Sequence, residues 1–138
     1  MKRYVLDASV ALAWLVDDPV PAYALELKAS MPKTRPIVPP LWILEMANSL
    51  AVGERRGNLT HAQVGRCLHL IEQLLGEAIE TSTSIITFRQ VLTTAQSFRL
   101  TAYDAVYLET ARSEGVPLAT LDPALLAAAP RAGVDLIS

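Results

Sequence analysis

At 138 residues the chain has room for one domain with a real core, and 51% hydrophobic content with mean hydropathy +0.30 excludes a disordered tail. A net charge of −2 and a pI of about 5.6 exclude a molecule that is basic overall, so any contact with phosphate is local or cation-mediated. The single cysteine, Cys67, excludes an internal disulfide and fits a reducing cytoplasm, where we expect the protein to work.

Tyr4-Val5-Leu6 is a short run of strand formers, as expected of a buried parallel strand. Asp7-Ala8-Ser9 opens a helical pattern to about Leu15, closed by Asp17-Asp18-Pro19. Lys2 and Arg3 ahead of this apolar stretch give it the look of a secretion signal. Asp7 within it, and no convincing cleavage site after it, argue against export. A second helix is expected over Ala22 to Met31, and Ile37-Val38 forms a short strand between prolines. Pro40 falls at the first turn of a long helix to about Arg56, with Gly57 as its C-terminal cap.

Asn58 or Thr60 caps the next helix, which carries Val64, Leu68, Ile71 and Leu75 at helical spacing until Gly76 stops it. Ala78-Ile79-Glu80 reads as a strand. Ser82 or Ser84 is expected to start a helix to about Phe98, and Thr101 another that ends near Gly115. Pro117 to Thr120 is a strand, Asp122-Pro123 caps a short helix, and Val134 to Ile137 is the last strand. Short apolar strands alternating with amphipathic helices predict a single α/β domain over residues 1–138. Its expected form is a three-layer α/β/α sandwich with a mainly parallel central sheet. No apolar run approaches the roughly 20 residues that span a bilayer, so no membrane association is expected. The apolar content is high for a lone monomer and predicts surface covered by a partner or a second copy.

Four acids stand where their surroundings are apolar: Asp7 in YVLDASVALAWL, Glu45 in LWILEMANSL, Asp104 in TAYDAVYL and Asp122 in LATLDPALL. A buried unpaired carboxylate costs several kcal/mol or changes its protonation state. Three have an alternative role in helix starts. Asp7 follows a strand and precedes a helix, Asp122 precedes a proline at a first helical position, and Asp104 lies three residues after Thr101 as in a capping box. Glu45 has no such role. It is the only charged residue from Leu41 to Val52, sits inside a helix, and has no arginine within one turn. Ligand sites of open α/β sheets form beyond the carboxyl ends of the strands, where Asp7, Asp104 and Asp122 are all expected. Carboxylates gathered there repel one another unless a cation holds them, and Mg²⁺ or Mn²⁺ suits an all-oxygen site. The chemistry that needs this arrangement is attack on a phosphodiester by metal-activated water.

These segments resemble the PIN-domain nucleases, and among them the VapC-like toxins of bacterial toxin–antitoxin pairs. The resemblance covers essentially the whole chain and is carried by VLDASVALAWL, PPLWILEMANSL, LTAYDAVYLETA and GVPLATLDPAL. Asp7, Glu45, Asp104 and Asp122 match that family's acidic quartet in order. Ser9 and Thr120 fall where similar proteins carry hydroxyls that support the metal or its waters. The resemblance implies metal-dependent endonucleolytic cleavage of RNA, a homodimer, and neutralisation by a cognate antitoxin protein packed across the groove.

Other residues make weaker cases. Arg55 and Arg56 lie about 15 Å along the helix from Glu45 and are better placed to meet the helix C-terminus than a scissile phosphate. Cys67 and His69 are two apart on one helix and diverge, so with His61 they make no zinc site. A non-catalytic RNA-binding module on the same fold is the alternative function, but a pure binder gains nothing from carboxylates facing phosphates. A phosphotransfer domain with Asp7 as acceptor is disfavoured, because Ser9 stands where a second acid is needed and no lysine follows Lys33.

Overall fold

The computed structural model describes residues 1–138. In chain order the elements are β1 (Lys2–Leu6), α1 (Ala8–Val16), α2 (Ala22–Ser30), β2 (Thr34–Val38), α3 (Leu41–Arg55), α4 (His61–Glu77), β3 (Glu80–Thr81), α5 (Phe88–Phe98), α6 (Ala102–Glu114), β4 (Leu118–Ala119) and α7 (Pro123–Arg131). The strands stand in the order β3-β2-β1-β4, and every pair is parallel. Successive strand residues point to opposite faces, yet Tyr4, Val5 and Leu6 are all fully buried, so helices cover both faces. This is the three-layer α/β/α sandwich, with one core of 25 buried residues. Burial on both faces is also why the strands read as continuous apolar runs.

The topology decides where a site can form. The chain leaves β1 toward β2 on one side and later returns to lay β4 on the other. Strand order therefore reverses between β1 and β4. Their carboxyl ends open a crevice that neither crossover fills.

Among the boundaries that differ from the sequence expectation, four have a clear physical cause. β2 begins at Thr34, three residues early, and includes Pro36. Proline is tolerated there because β3 pairs only with Ile37 and Val38, leaving that edge of β2 open beside Pro36. α4 runs through Gly76 to Glu77 and ends where the Ile79 amide folds back to Leu74 O at 2.7 Å. The segment Val134 to Ile137 contributes only a parallel bridge, Leu118 to Leu136. The Val134 amide is still bonded to Ala129 O at 2.9 Å, closing α7, so a ladder can begin only beyond it.

The fourth difference is the start of α5. Ser82 and Ser84 do not open a helix: the Ser82 amide donates to Val38 O at 2.8 Å and prolongs the β2–β3 ladder. The helix waits for Thr87, whose hydroxyl accepts from the Gln90 amide at 3.2 Å while Gln90 Oε1 accepts from the Thr87 amide at 2.9 Å. Thr87→Ala is therefore expected to cost about 1 kcal/mol in urea unfolding, and Ser84→Ala close to nothing. Equal losses would contradict this helix start.

Candidate active site

Asp7 directly follows β1 and Thr120 directly follows β4, and the Asp7 amide donates to Ala119 O at 3.0 Å. The two strand ends are thus locked side by side at the switch point. Asp7 is only 5% exposed, and its side chain makes no capping bond to α1. Instead Oδ2 accepts from Ser9 Oγ at 2.6 Å and from Thr120 Oγ1 at 2.8 Å. Each hydroxyl is itself oriented, because Ser9 Oγ accepts from the Leu121 amide and Thr120 Oγ1 from the Asp122 amide, both at 3.0 Å. With an amide on its lone pair, each hydroxyl sends its one proton to Asp7. Both serve the same carboxylate oxygen, so Oδ1 is free of them.

The other two residues with a helix-start alternative divide. Asp122 is a true N-cap: its Oδ2 accepts from the Leu125 amide at 3.0 Å, with Pro123 opening α7. In α6 the capping atom is Thr101 Oγ1, which accepts from the Asp104 amide at 3.1 Å. The Asp104 side chain is not needed for the cap.

Glu45 sits half-buried in the middle of α3, and its partner comes from α6. Tyr107 Oη donates to Glu45 Oε1 at 2.5 Å, and Tyr107 is fully buried. Local sequence could not name this partner, 62 residues away. One signal was available: Tyr107 lies three residues after Asp104 on one helix, which places the two on a common face.

None of the four acids forms an ion pair. The ion pairs of the chain engage Glu54, Glu80, Glu109 and Glu114 instead. Burial, then the charges of Asp122, Asp7 and Glu45, push the Asp104 carboxyl up to about 6, against a smaller opposing effect of the Thr101 hydroxyl. Burial also raises Asp7, with the Ser9 and Thr120 hydrogen bonds opposing and the Asp122 charge adding. Glu45 is raised by burial, with the Tyr107 hydrogen bond opposing and the Asp7 charge adding. The Asp104 carboxyl thus feels the charge of all three other acids.

No three of these carboxylates converge tightly enough to chelate an ion among themselves. An all-oxygen, anionic donor set suits a hard cation that takes one or two carboxylates directly and completes its shell with water, as Mg²⁺ and Mn²⁺ do. His61 does not join the cluster, being bonded through Nδ1 to Glu54 Oε1 at 2.7 Å, and Cys67 is buried in α4.

Fold and site together define the class: an α/β sandwich with an unneutralised acidic rim at the switch point of a parallel sheet. The chain belongs to the PIN-domain family, whose model matches residues 4–130. No curated protein sequence matches it significantly. Among solved structures it is similar to PAE2754 from Pyrobaculum aerophilum, with 26% identity, a TM-score of 0.69, and 91% of this chain and 84% of that one covered. FitAcB from Neisseria gonorrhoeae matches at 17% identity and TM-score 0.63, covering 98% and 96% of the two chains. VapBC2 from Rickettsia felis, bound to a DNA fragment from their promoter, matches at 12% identity and TM-score 0.63, covering 98% and 97%. The last two likenesses speak for the fold alone.

Proposed function

We propose that this chain is a Mg²⁺- or Mn²⁺-dependent endoribonuclease, the toxin of a toxin–antitoxin pair, acting through a single PIN domain. The observation that carries the reading is the cluster of Asp7, Glu45, Asp104 and Asp122 with no cationic side chain to neutralise it. Asp7, Glu45 and Asp104 would hold the cation, directly or through water, and Asp122 would complete the site with its charge and its free oxygen. A bound divalent cation supplies neutralisation of the cluster, acidification of a water, and a counter-charge for the phosphate.

The protein's own part is to hold these groups before the substrate arrives. Asp7 is already oriented by Ser9 and Thr120, and Glu45 by Tyr107, so little ordering remains to be done on binding. Asp104, at about 6, has lost most of its proton by neutral pH and is ready to meet a cation. The net charge of −2 brings no global attraction for a polyanion, so a cation is needed to bring phosphate into an acidic cleft.

Partner binding is supported by apolar surface. Ile85, Phe88 and Leu44 are 87%, 83% and 67% exposed, area of the kind that an antitoxin or a second copy would cover. No helix is long and apolar enough to cross a membrane. The toxin role follows the resemblance of the four acidic segments to VapC-like proteins, and the likeness to FitAcB and VapBC2 is in keeping with it. The test is incubation of purified protein with total RNA in Mg²⁺, Mn²⁺ or EDTA, with the cut ends mapped. Cleavage only with a divalent cation, at internal positions, is the expected result; cleavage that persists in EDTA overturns the reading.

A further inference from the structure

Tyr107 is the one side chain that hydrogen-bonds Glu45. It is fully buried, and its single hydroxyl proton goes to a carboxylate oxygen at 2.5 Å, the length of a charge-assisted O–H···O⁻ bond. Burial of a phenol does not by itself bring a partner in this chain, since the equally buried Tyr4 hydroxyl has none. The pairing is therefore a specific feature of the α3–α6 contact. Tyr107 thus holds one of the acids while sharing a helix face with another, Asp104.

Glu45 needs such a partner. It lies on α3, a helix whose neighbouring positions 43, 44, 47 and 48 are exposed, and it has no ion pair to fix its carboxylate. A half-buried glutamate with three rotatable bonds would otherwise sample several rotamers, and each would have to be given up on binding an ion. With Oε1 held by Tyr107, one rotamer is selected and Oε2 remains uncommitted.

We propose that Tyr107 is a positioning residue, whose hydroxyl holds the Glu45 carboxylate in the orientation from which the acidic cluster takes a divalent cation. The assignment rests on the nuclease reading above. It concerns an outer group that orients a ligand, the kind of partner whose loss weakens metal binding by about 10- to 100-fold.

The experiment measures Mn²⁺ affinity, by the electron paramagnetic resonance of free Mn²⁺, for wild type, Tyr107→Phe, Glu45→Ala and the double variant. Tyr107→Phe keeps the ring that packs in the core and removes only the hydroxyl. It is expected to weaken Mn²⁺ about tenfold, and to weaken it no further once Glu45 is alanine. Wild-type affinity in Tyr107→Phe, or an equal loss in both backgrounds as a packing role would give, overturns the assignment. Wild-type protein that binds no Mn²⁺ overturns the nuclease reading, and the assignment with it.

A metal-free measurement on wild type covers the case in which Tyr107→Phe does not fold. A buried phenol proton held by Glu45 should give a downfield, slowly exchanging proton resonance that is displaced in Glu45→Ala. Its absence from wild type overturns the assignment.

Discussion

Asp7→Asn is expected to lower RNA cleavage by at least about 100-fold and, in the same protein, to raise the thermal stability of the metal-free form at pH 7. The two effects have one origin. Asp7 is 5% exposed and has no cationic partner, so its charge is unfavourable in the folded chain until a cation arrives. Asparagine has the same shape, and its carbonyl oxygen can take the place of Oδ2 and keep the hydrogen bonds from Ser9 and Thr120. The substitution removes the charge and leaves the packing. A cleavage assay in Mg²⁺ beside a thermal melt in EDTA measures both. Opposite signs separate a lost functional group from a damaged fold, and a fall in both would contradict this account of Asp7.

Asp104 carries the second large effect, a dependence of stability on pH. Its carboxyl rises from an ordinary value of 3.8 to about 6 in the folded protein. Between those values the native state keeps a proton that the unfolded chain has released. The group's contribution to stability is therefore fully present below about pH 4 and is lost as pH rises through about 6. Asp7 and Glu45 are raised in the same direction. Asp104→Asn has no proton to lose, so its melting temperature should match wild type near pH 4 and exceed it increasingly up to pH 7. Mg²⁺ should narrow that gap at pH 7, because it binds the ionised wild-type cluster and stabilises it by mass action. A difference between the two proteins that stays constant from pH 4 to 7 would contradict the repulsion.

Much of the fold was legible because its signals are local. Pro40 and Gly57 bracket α3, Thr101 and Gly115 bracket α6, and the run Tyr4-Val5-Leu6 is apolar because β1 is covered on both faces. The misreadings come from competition that local sequence cannot rank. Ser82, Ser84 and Thr87 are all acceptable caps, but only Thr87 has Gln90 three residues on, while Ser82 is claimed by the edge of β2. Val134 to Ile137 has strand composition, yet the closure of α7 uses the Val134 amide first.

The site divides in the same way. Glu45 stood out as a lone charge in an apolar helix, a one-dimensional feature. Which hydroxyls hold Asp7, and which phenol holds Glu45, depend on strand order and on how α3 meets α6. Those contacts span 113 and 62 positions for Thr120 and Tyr107. The three possible helix caps also looked alike in sequence. The folded chain distinguishes them: Asp122 caps with its side chain, Thr101 caps in place of Asp104, and Asp7 caps nothing.

If these four acids form one divalent-cation site at the β1–β4 switch point, that site must take up Mn²⁺. Anomalous diffraction from crystals grown in Mn²⁺ tests it most directly. A manganese peak is expected among Asp7, Glu45, Asp104 and Asp122, and is expected to be lost in crystals of Asp7→Asn. Full manganese occupancy elsewhere on the molecule, with no peak at the acidic cluster, would contradict it.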